Sequence, residues 1–329
     1  MIGVEGLSVH FNAGCAVRDA QFAIAPGDRV GVVGESGCGK SVLALSLMGM
    51  LPETARMSGS LKIDGVEMAG SDEAAWRNLR ARRLAMIFQE PMSALNPLRR
   101  VGETVMEPMR VHLGLSRADA RRKALALFEE TGIPEPEQRF RQFPHELSGG
   151  QRQRVLIALA LACDPDVLIA DEPTTALDAN VALRIITLLV ELSKRRNMAL
   201  LFISHDLEAV RRATTRVMIM YGGDIVEQAP TQSLLVAPAH PYARGLLATR
   251  PRFRPARQRD LRLPTIPGAV PPLKDLPIGC RFSGRCPVEL AHCREQAPPR
   301  RTQGSGTVAC HHTGEVLAGH ARPIEKAFV

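Results

Sequence analysis

Apolar and polar positions fall into two regimes along the chain. Up to about residue 228, compact apolar runs alternate with helix-like stretches and short turns. Arg29 to Val33 (RVGVV) is a β-branched run, and Gly39 to Met50 follows at helical leucine and alanine density. Strand, glycine-rich turn and helix are expected there in that order. Val167–Ala170 (VLIA) and Ala199–Ile203 (ALLFI) are two further short apolar runs, each preceded by a helical pattern. This alternation predicts an α/β fold with a mostly parallel sheet covered on both faces. Ser116 to Thr131 and the stretch before Ser148 read as helices of a separate lobe, broken by Gly132, Pro134 and Pro136. Ten prolines between Pro230 and Pro277 then discourage long helices and central strands. The boundary falls near 230 to 240, and no internal repeat is evident.

With 329 residues, 45% hydrophobic and 23% charged, the chain has ordinary globular usage, which excludes disordered and fibrous classes. Uncharged runs such as Val155 to Cys163 reach about half the roughly 20 apolar residues of a spanning helix. The start, MIGVEGLSVHF, lacks a basic region and a long apolar stretch, so cytosolic residence is expected. The net charge of +8 is local: residues 236–329 carry 15 Lys+Arg against 6 Asp+Glu, whereas residues 1–235 carry 27 against 28. Its densest part is Arg250, Arg252, Arg254, Arg257, Arg259 and Arg262, interleaved with Pro251 and Pro255. That reads as an extended, solvated connector, with a phosphate-facing or headgroup-facing role as the alternative.

Gly34-Glu35-Ser36-Gly37-Cys38-Gly39-Lys40-Ser41 matches G-x-x-x-x-G-K-[ST] between a strand and a helix. Glycines let the backbone wrap phosphate oxygens, and successive N–H groups plus the helix N-terminus supply positive potential. Lys40 is expected on the β and γ phosphates and Ser41 on Mg²⁺. Cys38 reads as a small variable filler. Asp171 and Glu172 end an apolar strand, where ligands of open α/β sheets bind. Alone such a pair is more often a cap or a solvated turn. Beside a phosphate loop, Asp171 is expected to hold Mg²⁺ and Glu172 to act as general base.

Cys280, Cys286, Cys293 and Cys310 crowd the end, while Cys15, Cys38 and Cys163 are scattered. In a reducing compartment, clustered cysteines point to metal ligation before disulfides. Four thiolates satisfy tetrahedral zinc or an iron–sulfur cluster, and the spacing, which lacks paired C-x2-C knuckles, leaves both open along with no metal at all.

Leu147-Ser148-Gly149-Gly150-Gln151 places Ser148 and Gln151 in capping-box spacing before QRQRVLIALALA. Between the phosphate loop and the acidic strand, this string resembles the signature motif of ABC-type ATPases. The resemblance covers residues 1 to about 235. It extends to Gln89 in MIFQEP, to Ala176-Leu177-Asp178, and to His205 after ALLFIS. It implies an ABC-type P-loop ATPase domain over 1–235 with a mostly parallel core, an antiparallel β subdomain and a helical subdomain at about 90–160. Phe11 stands where such ATPases often stack an aromatic ring on adenine, though core packing is an equal reading. Gly34, Ser36, Gly37, Cys38, Gly39, Lys40, Ser41 and Val42 would contact the nucleotide, with Ser41, Gln89 and Asp171 around Mg²⁺. The family sandwiches ATP between the phosphate loop of one domain and the signature of another. Leu147, Ser148, Gly149, Gly150, Gln151 and Asp178 would therefore face a partner's nucleotide. Glu172 would be the base, His205 would contact the γ-phosphate, and Gln89 would sense metal and water.

Phe88 to Pro97 (FQEPMSALNP) and Ala170 to Asp178 (ADEPTTALD) resemble the corresponding segments of peptide and nickel importers, and His240-Pro241-Tyr242 resembles the start of the dipeptide/oligopeptide extension. The resemblance implies an ATP-hydrolysing subunit that powers dipeptide or oligopeptide import from the cytoplasmic face of the membrane. Its partners would be a related ATPase in a heterodimer, two transmembrane permease subunits and, indirectly, an external peptide-binding protein. It also implies that residues 236–329 form a small metal-binding extension whose cysteines hold a [4Fe-4S] cluster, with zinc as the alternative. Import of nickel or another small solute is the nearer alternative function. A nucleic-acid-associated ABC ATPase is more distant, because 4% aromatics leave few stacking platforms and no nucleic-acid partner is expected.

Overall fold

The computed structural model describes residues 1–88, 94–175, 177–249 and 265–312. Gln89, Ala176 and the arginines from Arg250 to Arg262 lie outside the described residues. The chain opens with β1 (Ile2–Phe11), β2 (Gly14–Ile24), β3 (Arg29–Val33), α1 (Lys40–Leu47), β4 (Arg56–Ile63), β5 (Val66–Glu67), α2 (Glu73–Leu79) and β6 (Leu84–Ile87). Helices α3 (Val101–Leu113), α4 (Arg117–Glu130), α5 (Pro136–Phe140) and α6 (Gly149–Ala160) follow. Next come β7 (Val167–Asp171), α7 (Ala179–Arg196), β8 (Ala199–Ile203), α8 (Leu207–Ala213), β9 (Arg216–Tyr221) and β10 (Asp224–Pro230). The chain then carries α9 (Thr231–Val236), α10 (Pro241–Ala248), β11 (Arg300–Gln303) and β12 (Gly306–Ala309).

Two sheets result. One is four-stranded and antiparallel, in the order β2-β1-β4-β5, and the other is eight-stranded, in the order β11-β12-β10-β9-β3-β8-β7-β6. The five strands from β9 to β6 pair in parallel, and the β9, β10, β12 and β11 edge is antiparallel. β7 and β8 are buried at every residue, as parallel strands covered on both faces must be. Alternate side chains point to opposite faces. Leu168, Ala170, Leu200 and Phe202 thus join the core under the helices. Val167, Ile169, Leu201 and Ile203 join the core shared with the antiparallel sheet and α1.

The helices α3 to α6 form a lobe on that frame. Ser116 caps α4 by accepting from the Asp119 N–H, and Gly114 ends α3 with a left-handed φ of 66°. The proline-rich tail has only 3₁₀ turns, at Leu273–Asp275 and Ala291–Arg294, and the β11–β12 hairpin among its residues described from 265 onward. That hairpin was not foreseen from the sequence, and it sits at the sheet edge, the position proline-rich chain tolerates. No helix among the described residues is long and apolar enough to cross a membrane.

Candidate nucleotide site

The carboxyl ends of β3, β7 and β8 converge, delivering the 34–41 loop, the Asp171–Glu172 pair and His205 to one cleft of about 570 Å³. Ser36, Gly37, Gly39, Lys40, Ser41, Val42, Asp171, Glu172 and His205 all line it. Gly34 and Cys38 of the loop do not line it. A Cβ at Gly34 would stand 2.1 Å from the Met220 carbonyl oxygen, so only glycine fits there. Cys38 is 1% exposed, and burial raises its thiol pKa. Lys40 Nζ donates to the carbonyls of Gly34 and Glu35, both at 2.9 Å, which draws the loop around the ammonium at the N-terminus of α1.

Asp171 is 3% exposed, and its Oδ1 has no hydrogen-bond partner. Burial raises its pKa, and a hydrogen bond from Ser41 acts against that rise. An orphaned carboxylate oxygen beside a hydroxyl is the arrangement that a hard cation with oxygen ligands satisfies. Ser41 and Asp171 therefore fit Mg²⁺.

Glu172 adopts a left-handed backbone, φ 51°, uncommon for a residue with a side chain. Its own N–H donates to the Ile203 carbonyl at 2.9 Å. One carboxylate oxygen accepts from the His205 backbone N–H at 3.1 Å and lies 2.9 Å from His205 Nδ1, and the other accepts from Thr175 Oγ1 at 2.9 Å. The acid is thereby aimed from two sides, while the His205 imidazole stays largely exposed.

The other predicted positions lie elsewhere. Ser148 caps α6, accepting from the Gln151 N–H while Gln151 Oε1 accepts from the Ser148 N–H, so the capping box forms as the spacing predicts. Asp178 caps α7. Gly150 packs so closely on Val181 that a Cβ would come within 2.8 Å of it, which joins the signature segment to the start of α7. Leu147 is buried beneath this segment, and Gly149 faces Leu177. Phe11 ends β1, packs on the antiparallel-sheet core and is not among the cleft-lining residues.

The cysteines expected to hold a metal do not close into a ligand set: among the described residues no group of three or more His, Cys, Asp or Glu could hold a metal ion. The four thiols are nevertheless gathered, each of Cys280, Cys286 and Cys310 lying within electrostatic reach of Cys293. Burial pushes Cys280 and Cys286 up to about 12. These thiols stay protonated without a cation to displace the protons.

Four contributors escaped the sequence reading. The Glu35 N–H donates to Tyr242 Oη at 2.9 Å, and Arg285 pairs with the Glu35 carboxylate. Leu273 and Leu276 line the cleft from the tail. The sequence singled out His240-Pro241-Tyr242, but not that its tyrosine reaches the phosphate loop.

A glycine-wrapped phosphate loop, an unsatisfied acid beside a hydroxyl and a doubly anchored glutamate at the ends of parallel strands define a nucleoside-triphosphate-hydrolysing cassette. Residues 17–175 match the ABC transporter family, and residues 226–293 match the oligopeptide/dipeptide transporter C-terminal region. A probable peptide ABC transporter ATP-binding protein of Sinorhizobium fredii is 43% identical over 324 residues, covering 96% of each chain. The dipeptide transport ATP-binding protein DppD of Escherichia coli is 41% identical over 318 residues, covering 95% of this chain and 96% of its own. An ATP-binding cassette solved as a dimer in a post-hydrolysis state with ADP and Pi superposes with TM-score 0.63 at 26% identity, covering 70% of this chain and 99% of that one. The cbiO1 protein of Clostridium perfringens, part of the ABC transporter complex cbiONQ, gives 0.62 at 28% identity, covering 71% of this chain and 90% of that one. The chain belongs to the ABC transporter ATPase family and is an ATP-hydrolysing cassette.

Proposed function

We propose that the chain powers import of dipeptides or oligopeptides across the cytoplasmic membrane, docked on its cytoplasmic face. The observation that carries this is the oligopeptide/dipeptide transporter C-terminal region, together with peptide-importer relatives that align over nearly the whole chain. The partners are a related ATPase in a heterodimer, two permease subunits and an external peptide-binding protein.

In this reading Lys40 and the loop N–H groups hold the triphosphate, and Ser41 and Asp171 hold Mg²⁺, with Gln89 assigned beside them by family likeness. Bound Mg²⁺ neutralises phosphate charge. Glu172 orients the attacking water and takes its proton. His205 holds Glu172 through Nδ1 and leaves its exposed edge toward the γ-phosphate. The exposed Ser148 and Asp178, with Gly149, Gly150 and Gln151, face the partner domain's nucleotide. We also assign Cys280, Cys286, Cys293 and Cys310 as the seat of a [4Fe-4S] cluster. What supports this assignment is the gathering of the four thiols within electrostatic reach of one another.

Reconstitution with the neighbouring permease subunits in vesicles tests the import assignment: peptides added with the external binding protein should stimulate ATP hydrolysis. Stimulation by nickel and not by peptides would move the chain to a sister importer. Anaerobic purification with metal analysis tests the tail. Roughly four irons per chain, lost in Cys286→Ser, is the expected result; one zinc or no metal would remove the cluster.

A further inference from the structure

We infer that Tyr242 is a positioning residue for the phosphate loop: its hydroxyl holds the Glu35 N–H and so sets where Ser36 and Gly37 stand when the triphosphate arrives. The inference rests on the ATP-hydrolysing cassette and gives the His240-Pro241-Tyr242 triplet a part in it.

Ser36, Gly37, Gly39, Lys40 and Ser41 line the cleft, and Glu35 does not. The polar groups of Glu35 are all engaged within the protein. Its N–H donates to Tyr242 Oη at 2.9 Å, its carbonyl accepts from Lys40 Nζ at 2.9 Å and from the Cys38 N–H at 3.3 Å, and its carboxylate pairs with Arg285. A phosphate loop binds through successive N–H groups that must point at the anion together. Glu35 is the point from which that segment departs. Fixing it before the ligand arrives removes an ordering cost that binding would otherwise carry.

The triplet is built to bring one hydroxyl to that point. Glu227 accepts from the Ala239 and His240 N–H groups, at 2.9 and 2.7 Å, which fixes the entry to α10. His240, 1% exposed, caps the helix: its Nδ1 accepts from the Tyr242 N–H at 3.0 Å, and Pro241 stands in the first turn, where no N–H is needed. Tyr242 is buried, with its ring centroid 4.7 Å from that of Tyr221 and 5.4 Å from that of Phe282. A phenol in such surroundings needs a partner for its oxygen, and the Glu35 N–H supplies it. Phenylalanine would serve the packing equally well; the hydroxyl is what reaches the loop.

Tyr242→Phe in the full chain removes the hydroxyl and keeps the ring. Equilibrium titration should show affinity for ATP and for inorganic triphosphate falling together, each about fivefold, as for one lost hydrogen bond felt at the phosphates. Amide hydrogen exchange gives a readout that a packing role would not move. Exchange at Glu35 should quicken about tenfold while residues 280–293 exchange as in wild type. Unchanged affinity would overturn the inference, as would a loss confined to ATP or faster exchange spread through the tail. Wild type without nucleotide is a test independent of any variant: its Glu35 amide should be protected, and free exchange there would overturn the tether. Failure of the underlying phosphate-site reading looks different: Lys40→Ala would then bind triphosphate as wild type does.

Discussion

Arg285, in the cysteine-rich tail, grips Glu35, inside the phosphate loop, with two nitrogens: Nη1 lies 3.3 Å from Oε1 and Nη2 lies 3.1 Å from Oε2. The Arg285 side chain is 7% exposed, and its guanidinium donates to Tyr221 Oη at 3.1 Å and lies 5.5 Å from that ring's centroid. A planar fork held this way is hard to replace by any other cation. It also cancels an anionic charge in the loop that must accept triphosphate.

Removing that cancellation should be measurable. Arg285→Ala should weaken ATP binding roughly tenfold by leaving the Glu35 carboxylate unpaired. Adding Glu35→Gln should recover most of the loss, read by nucleotide titration of the single and double variants. A double variant no better than Arg285→Ala would mean that the arginine acts through tail packing and not through charge.

Glu172→Gln keeps the shape of the side chain and its bonds to His205 and Thr175 but removes the base. ATP binding should change by less than about threefold, while steady-state hydrolysis in the assembled transporter should fall by roughly 10²–10⁴. Wild-type turnover would exclude Glu172 as the base.

Lys40 bridges the Gly34 and Glu35 carbonyls, so its loss removes a phosphate contact and loosens the loop together. In Lys40→Ala, ATP affinity should drop about a hundredfold, measured by equilibrium binding, as expected for a charge-assisted contact removed from a preformed anion site. Normal affinity would count against the loop as the phosphate seat.

Acid and base limbs of stability should separate at Glu227 and His240. Burial raises Glu227 to about 7 and lowers His240 to about 3. The folded chain holds the Glu227 proton more tightly than the unfolded chain does. Its contribution is therefore full below about 4.5 and is lost as pH climbs through about 7. His240 runs the other way, full above about 6.5 and lost as pH falls toward about 3. Glu227 accepts from the Ala239 and His240 backbone N–H groups, so Glu227→Gln should be less stable than wild type in mild acid. That gap should narrow by roughly 3 kcal/mol between about pH 5 and about pH 8, read from denaturant melts. A constant gap would assign no titration to this carboxyl.

The sequence carried the elements around the cleft well because their determinants are local. β3 runs from Arg29 to Val33, as its β-branched run predicts, and Ser148 and Gln151 cap α6 in the spacing that foretold them. Glu172 and His205 were each legible as single residues. Their hydrogen bond was not, because it depends on the register of β7 against β8, where Asp171 stands opposite Ile203. The tail was harder still. Arg285 meets Glu35 across 250 positions of sequence, and no periodicity encodes such a meeting. Leu273 and Leu276 sit in a segment whose composition announces only irregular chain. Leu273 packs on bare surface at Gly14 and Leu276 on bare surface at Gly222, each of which looks in the sequence like ordinary turn glycine.

The β11–β12 hairpin pairs β12 with β10 through Glu227 opposite Val308 and Gln228 opposite Thr307. Ending the chain near residue 235, after the last motif shared by ATPases of this kind, would strip that cover and leave β10 with a row of unanswered N–H and C=O groups. Such a border is an invitation to intermolecular pairing. A shortened protein would then be prone to clump for reasons unrelated to its chemistry, and an inactive truncation would say little about whether the tail takes part in turnover.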